Sequence, residues 1–448
     1  MQSLFFFLIA LALLIAVHEF GHFWVARRCG VKVLKFSIGF GKPIWQKTGK
    51  DGTEYIVAAI PLGGYVKMLD ECEGEVPLEQ LGQAFNRQTL GKRTAIVAAG
   101  PIANLLFAIV AYWLVLVSGV PGIKPIVEQV AEDSPAAFSQ ILPGDQIKQI
   151  NGEMTPTWAT VDQVLRTIAD DGGIAEITLV RHESKVIKKI KIAQQSMLVA
   201  SPNNIIKDLG LTAKLYDLKP VLGKVIENQA AAQAGLKTGD IILSTNGQMI
   251  ESWQQWVEVI KANAEKELSV ALNRKNQKIT LNLTPKRAEQ SHGFIGAAVD
   301  SSATAVPEPL ISELRYGPIS GVIKAIQKTW QMSSLTVKSF IGMLKGEVST
   351  KNLGGPISIA QSAGASADRG SVAFLSFLAL ISISLGILNL LPIPILDGGH
   401  LMLYFFEWVN GKPVSEAVQL QGQKIGLILL LALMFFAFFN DLSRQFGL

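Results

Sequence analysis

The chain has 448 residues, nearly half of them hydrophobic and only 17% charged, below the roughly 25% of soluble globular proteins, so an ordinary soluble protein is excluded. A net charge of +5 is too small to argue for a nucleic-acid partner, and two cysteines, Cys29 and Cys72, are too few and too widely spaced for a zinc knuckle. The apolar excess is concentrated in a few long runs, the pattern of a polytopic α-helical membrane protein with soluble inserts, and the length suggests about three domains.

The first run, residues 4–26, is 23 residues and roughly 34 Å long as a helix, enough to cross a bilayer core of about 30 Å. Its leader, Met1-Gln2-Ser3, has no positive charge, and no small-x-small site follows the run; both argue for a retained span over a signal peptide. Within it lies His18-Glu19-Phe20-Gly21-His22. An ionisable residue near the middle of a span costs about 2.5–3.5 kcal/mol on insertion scales, and here three fall within five positions. On a helix His18 and His22 project from one face a turn apart, which suits two neutral nitrogens on one zinc ion, with Glu19 beside them as a base for the attacking water. The competing reading is a pair of interfacial histidines with a snorkelling glutamate, which leaves Glu19 nothing to offset its burial.

Between Arg27 and Lys50 the chain carries seven Lys and Arg and no acid, which places the loop 27–94 in the cytoplasm and the N-terminus outside. Two runs in this loop, 31–45 and 55–68, are predicted strands, punctuated by Gly39-Phe40-Gly41 and Pro61-Leu62-Gly63-Gly64. Such a β-hairpin loop either dips into the membrane beside the first span or packs on the bundle from the cytoplasm. An exposed edge there could pair with an extended substrate, which makes Gly39, Phe40, Gly41, Gly63 and Gly64 candidate substrate-binding positions. The second span is predicted at 95–117; Asn104 inside it is expected to hydrogen-bond between helices.

Residues 118–310 hold an internal repeat. Pro143-Gly144-Asp145, Asn151-Gly152 and Trp158 recur as Thr238-Gly239-Asp240, Asn246-Gly247 and Trp253, always 95 residues on. Each copy reads strand, small-residue helix, Gly-Asp turn, strand, Asn-Gly turn, helix and alternating strands, and the pair resembles two tandem PDZ domains at about 123–197 and 218–286. PDZ domains bind peptides by strand addition, but nothing in the sequence says that these grooves are open, and two spacers remain the alternative. Residues 319–345 form a predicted amphipathic basic helix, lying on the membrane surface or in a soluble core. Two further spans follow, at about 372–391 and 421–440, in a closing module 372–448.

The third span ends in Asn389-Leu390-Leu391-Pro392-Ile393-Pro394-Ile395-Leu396-Asp397-Gly398-Gly399-His400. Spans one and three run in the same direction, so His18, His22 and Asp397 approach the same side of the bilayer. Two histidines and one carboxylate would leave the fourth zinc position open for water. His400 is a rival third ligand, and Asp397-Gly398 read alone is an ordinary turn dipeptide. Asn389 could donate its amide to a carbonyl oxygen that gains charge.

Taken together, HEFGH in the first span, GPIAN at 100–104, the glycine-punctuated loop, the tandem PDZ-like repeat and NLLPIPILDGGH resemble the site-2 protease family over essentially the whole chain. The resemblance implies a four-span protein of the bacterial inner membrane with a membrane-associated β loop and two PDZ domains outside the cytoplasm. It implies zinc (Zn2+) on His18, His22 and Asp397, Glu19 as general base and Asn389 in contact with the substrate. It also implies an intramembrane endopeptidase whose substrates are single-span membrane proteins already trimmed by another protease. An anti-sigma factor of the envelope stress response and remnant signal peptides are the implied examples, with the PDZ pair excluding bulky substrates. Two other classes compete. A PDZ scaffold with a structural metal site has no reason to keep Glu19 in a span, and a transporter would need ionisable residues spread across the bilayer instead of gathered at one level.

Overall fold

The computed structural model describes residues 2–72, 74–194, 205–214, 216–287, 292–300, 303–304, 307–349 and 353–446. The expected boundaries at 197 and 448 lie outside the described residues. The chain divides into two compact units, one of Met1–Val120 and Leu314–Leu448, the other of Pro121–Gln194 and Asn203–Glu313.

In the first unit, helix α1 (Gln2–Arg28) is followed by strands β1 (Val33–Thr48) and β2 (Glu54–Met68), then helix α2 (Leu90–Ser118). After the second unit come α3 (Pro318–Lys345), α4 (Pro356–Asp368), α5 (Ser371–Leu390), α6 (Asp397–Asn410) and α7 (Glu416–Phe446). Among the described residues four helical stretches are long and apolar enough to cross a membrane: Gln2–Arg28, Leu90–Ser118, Ser371–Leu390 and Ala417–Arg444. Helices α4 and α6 were not foreseen from the sequence.

The bundle packs on small residues. Ala108, Ala111, Ala325 and Ala379 are buried among α2, α3 and α5, where short side chains let helix backbones approach closely. Large apolar side chains point outward instead: Leu427, Ile428, Leu431, Met434 and Phe435 of α7 are all exposed, the arrangement of a helix whose solvent is lipid. The one acid well inside α7, Asp441, is 3% exposed and fully used. Its carboxylate accepts N–H groups of Gly355, Ile357 and Ser358 and the Ser358 hydroxyl, capping the positive end of α4. Arg93 of α2 and Glu407 of α6 form a half-buried ion pair at 2.6 Å, with the Tyr404 ring 5.0 Å from the guanidinium.

Strands β1 and β2 bend at their glycines and pair more than once. Residues 35–38 partner 64–67 and also 54–57, while 54–58 partner residues between 43 and 48. Val31, Val33, Phe36 and Tyr55 anchor this sheet on Phe23 and Ala26 at the end of α1. Further along, Phe40, Ile44, Trp45, Val57 and Ile60 are exposed.

The second unit has two cores of the same construction. In the first, strands Gln146–Ile150, Gly173–Arg181 and Ser184–Ile192 are covered by the helix Trp158–Asp171; in the second, Ile241–Thr245, Leu268–Arg274 and Gln277–Leu283 are covered by Trp253–Ala262. The repeated residues perform repeated tasks. Asn151 and Asn246 both take φ 50°, as their turns require. Asp145 and Asp240 are fully buried and each meets one arginine, Arg181 or Arg274, at 2.7 Å. Burial works to raise the Asp145 carboxyl, but hydrogen bonds from Arg181 and the Leu142 N–H outweigh it and hold the group below the usual carboxylate range. The first core also draws on Ile205, Ile206, Leu209 and Leu211, and the second on Ile295, so each continues past the last long strand of its copy.

Candidate metal centre

Three donor atoms converge where α1, α2 and α6 meet. His18 Nε2 lies 3.2 Å from His22 Nε2 and 3.2 Å from Asp397 Oδ2, and His22 Nε2 lies 3.5 Å from the same oxygen. A tetrahedral ion with bonds of about 2.0–2.1 Å requires donors about 3.3 Å apart, which is this spacing. Asp397 Oδ2 is buried and has no well-directed hydrogen bond among the described residues, as expected of an oxygen whose natural partner is a cation. The donor set, two imidazoles and one carboxylate, is that of a hydrolytic zinc site with one position left open. The residues present therefore fit zinc.

Each donor position has a local cause. His18 and His22 share a face of α1 because they are four residues apart. His22 Nδ1 donates to the Ile96 carbonyl at 2.8 Å, which leaves Nε2 as a lone pair toward the site. Asp397 is the first residue of α6. The turn before it contains Pro392 and Pro394 and puts Ile395 at φ 97°, a left-handed backbone that a β-branched residue rarely takes, at a cost of roughly 1–3 kcal/mol. Gly398 and Gly399 follow because the first turn of α6 presses on that backbone: a Cβ would lie 2.2 Å from the Leu391 carbonyl oxygen or 2.5 Å from that of Ile393. His400, the rival ligand, sits one turn along α6 and is not part of the converging set.

Glu19 is 9% exposed, and among the described residues its carboxylate makes no hydrogen bond or ion pair. Gly64 of β2 is seated against it; a Cβ there would lie 2.8 Å from Glu19 Cγ. The other glycines of the loop stand apart from the donors. Gly63 is held against the Phe40 ring, Phe40 stacks on Tyr65, and Gly39 and Gly41 bend β1 at φ 94° and 89°. Asn389 is half-buried in the last turn of α5, and among the described residues its side chain makes no hydrogen bond.

Sequence reasoning missed two neighbours of the histidines. Gly100 of α2 lies directly on them; a Cβ would be 2.2 Å from His22 Nε2 and 2.8 Å from His18 Cε1. Asn104, expected only to link helices, does accept a hydrogen bond from Ser382 at its backbone carbonyl, but its side chain meets His18 Nδ1 at 3.2 Å. The signal was GPIAN itself, a glycine and an amide at mid-span four residues apart.

Comparison with known proteins agrees with this chemistry. Residues 6–433 match peptidase family M50. The Regulator of sigma-E protease RseP of Salmonella typhimurium is 44% identical over 442 residues, 98% of each chain. The Escherichia coli protein of the same name is 44% identical over 443 residues, and a Vibrio cholerae protein provisionally named a zinc metalloprotease is 46% identical over 443 residues, again with 98% of each chain covered. Among solved structures, the PDZ domain of an SdrC-like protein from Listeria monocytogenes is similar over 20% of this chain and 96% of its own, with 17% identity and a TM-score of 0.18. With the match spanning nearly the whole chain, this protein belongs to peptidase family M50, the site-2 proteases, and is an intramembrane zinc metalloprotease.

Proposed function

We propose that the enzyme binds zinc through His18 Nε2, His22 Nε2 and Asp397 Oδ2 and cleaves single-span membrane proteins inside the bilayer. The convergence of these three donors, two of them on a helix of membrane-crossing length, carries the reading. Zinc bound there would polarise the scissile carbonyl and acidify the attacking water. Glu19, buried and without a competing hydrogen bond among the described residues, takes the proton from that water and passes it to the leaving amide nitrogen. Asn389 donates its amide to the carbonyl oxygen as charge develops on it. The substrate helix must open to present its backbone, and the opened segment pairs with the loop of β1 and β2, whose exposed Phe40, Trp45 and Ile60 suit a sheet that dips into lipid. Gly39, Phe40, Gly41, Gly63 and Gly64 shape that surface. The fitting substrate is an anti-sigma factor already trimmed outside the membrane, since relatives are named regulators of sigma-E protease; remnant signal peptides are a second class. The two repeated modules act as PDZ domains that turn away substrates with bulky outer parts.

Removal of zinc from purified enzyme by a chelator should abolish cleavage of a model single-span substrate, and zinc should restore it. Asp397→Ala should lose both zinc and cleavage, while His400→Ala keeps its zinc. Metal loss confined to the His400 variant would replace the third ligand, and chelator-resistant cleavage would sink the metal mechanism.

Orientation has a separate test. With the repeat outside the cytoplasm, a cysteine at Gln163 or Gln254 should react with an impermeant thiol reagent on intact spheroplasts, and the exposed native Cys72 should not. The opposite labelling would invert the topology.

A further inference from the structure

The two histidines are held by different kinds of partner. His22 Nδ1 faces a backbone carbonyl, which can only accept, so His22 is set for metal binding before any metal arrives. His18 Nδ1 faces the Asn104 amide nitrogen at 3.2 Å. An amide nitrogen donates, so this contact makes His18 Nδ1 the lone pair and puts the ring proton on Nε2, which is 3.2 Å from both His22 Nε2 and Asp397 Oδ2. A protonated Nε2 cannot bind a cation. Asn104 is meanwhile fully buried, and its Oδ1 has no partner among the described residues. The two ends of a carboxamide have nearly the same shape, so a half-turn exchanges them within the same space. The oxygen would then face His18 Nδ1 and accept its proton, freeing Nε2 for the metal.

We propose that Asn104 is a positioning residue for His18: with its carboxamide oxygen inward it accepts the Nδ1 proton and leaves Nε2 free for the metal. The proposal rests on His18 being a zinc ligand. It accounts for a hydrogen-bonding side chain at this position, since an alanine would leave Nδ1 without an acceptor in a dry interior. Loss of such an outer partner typically weakens metal binding by about 10–100-fold.

The test is zinc affinity of purified full-length enzyme in detergent, by competition with a chelator, together with the absorption spectrum of the cobalt-substituted protein. Asn104→Ala should bind zinc about 10–100-fold more weakly than wild type and shift the cobalt bands. Asn104→Asp, which keeps an acceptor oxygen, should bind as tightly as wild type or tighter. Ser382→Ala removes the other hydrogen bond to Asn104, from the Ser382 hydroxyl to its carbonyl at 2.8 Å, and should leave affinity unchanged. Wild-type affinity in Asn104→Ala would overturn the proposal. Equal losses in the Ala and Asp variants, or an equal loss in Ser382→Ala, would do so too, because the effect would then be packing. Zinc held as tightly by Asp397→Ala as by wild type would overturn the ligand reading itself, and this proposal with it.

Discussion

Glu19→Gln should retain a full complement of zinc and lose cleavage by about 10²–10⁴-fold, the usual contribution of a positioned general base. The substitution keeps the shape of the side chain, so the contact with Gly64 survives and the three donors are untouched. It also replaces a mostly buried carboxylate that has no hydrogen-bond partner among the described residues with a neutral group that costs less to bury, so the variant should be no less stable than wild type. Zinc content, thermal stability and turnover of a single-span substrate, measured on one preparation, separate these effects. Turnover near wild type would remove Glu19 from the mechanism. A protein that only scaffolds partners through its outer modules would show no difference in any of the three, so the experiment also decides between classes of function.

What could be read from the sequence was local or periodic. His18 and His22 are legible because four residues on a helix are a fixed displacement, and the long spans because lipid demands unbroken apolar runs. The repeat is legible because Gly-Asp and Asn-Gly turns need particular residues at particular backbone angles, and Asn151 and Asn246 do share one φ. Most contacts between distant segments were not legible. GPIAN marks Gly100 and Asn104 as unusual at mid-span but does not say that they touch histidines some eighty residues earlier, and a mid-span asparagine has many possible partners. Helix α6 was hidden by its own start, since two prolines ahead of Asp397 and two glycines after it read as a break. Those glycines instead allow the helix to begin against the turn. Helix α4 was hidden by its composition of small and polar residues, and its N-terminus is capped by Asp441, far along the chain.

Gly100→Ala should be as damaging as loss of a ligand, although it adds one methyl group. In an ordinary helix this exchange is favourable by up to about 1 kcal/mol. Here the added carbon would lie 2.2 Å from His22 Nε2, 2.7 Å from its Cε1 and 2.8 Å from His18 Cε1, all well inside contact distance. The His22 ring is tied at Nδ1 to the Ile96 carbonyl on the same helix, α2, so it cannot swing away without breaking that bond. Either the ring loses its orientation or α2 retreats from α1, and overpacking of this kind costs typically 1–3 kcal/mol. Both routes separate the two imidazole nitrogens, now 3.2 Å apart, so zinc binding and cleavage should fall together. Gly91→Ala in the same helix is the control, because a Cβ there meets nothing within 4 Å. It should keep zinc, activity and stability at or slightly above wild type. Undiminished zinc content in Gly100→Ala would mean that α1 and α2 can separate without disturbing the histidines, and the close seating of α2 would then lose its role in shaping the site.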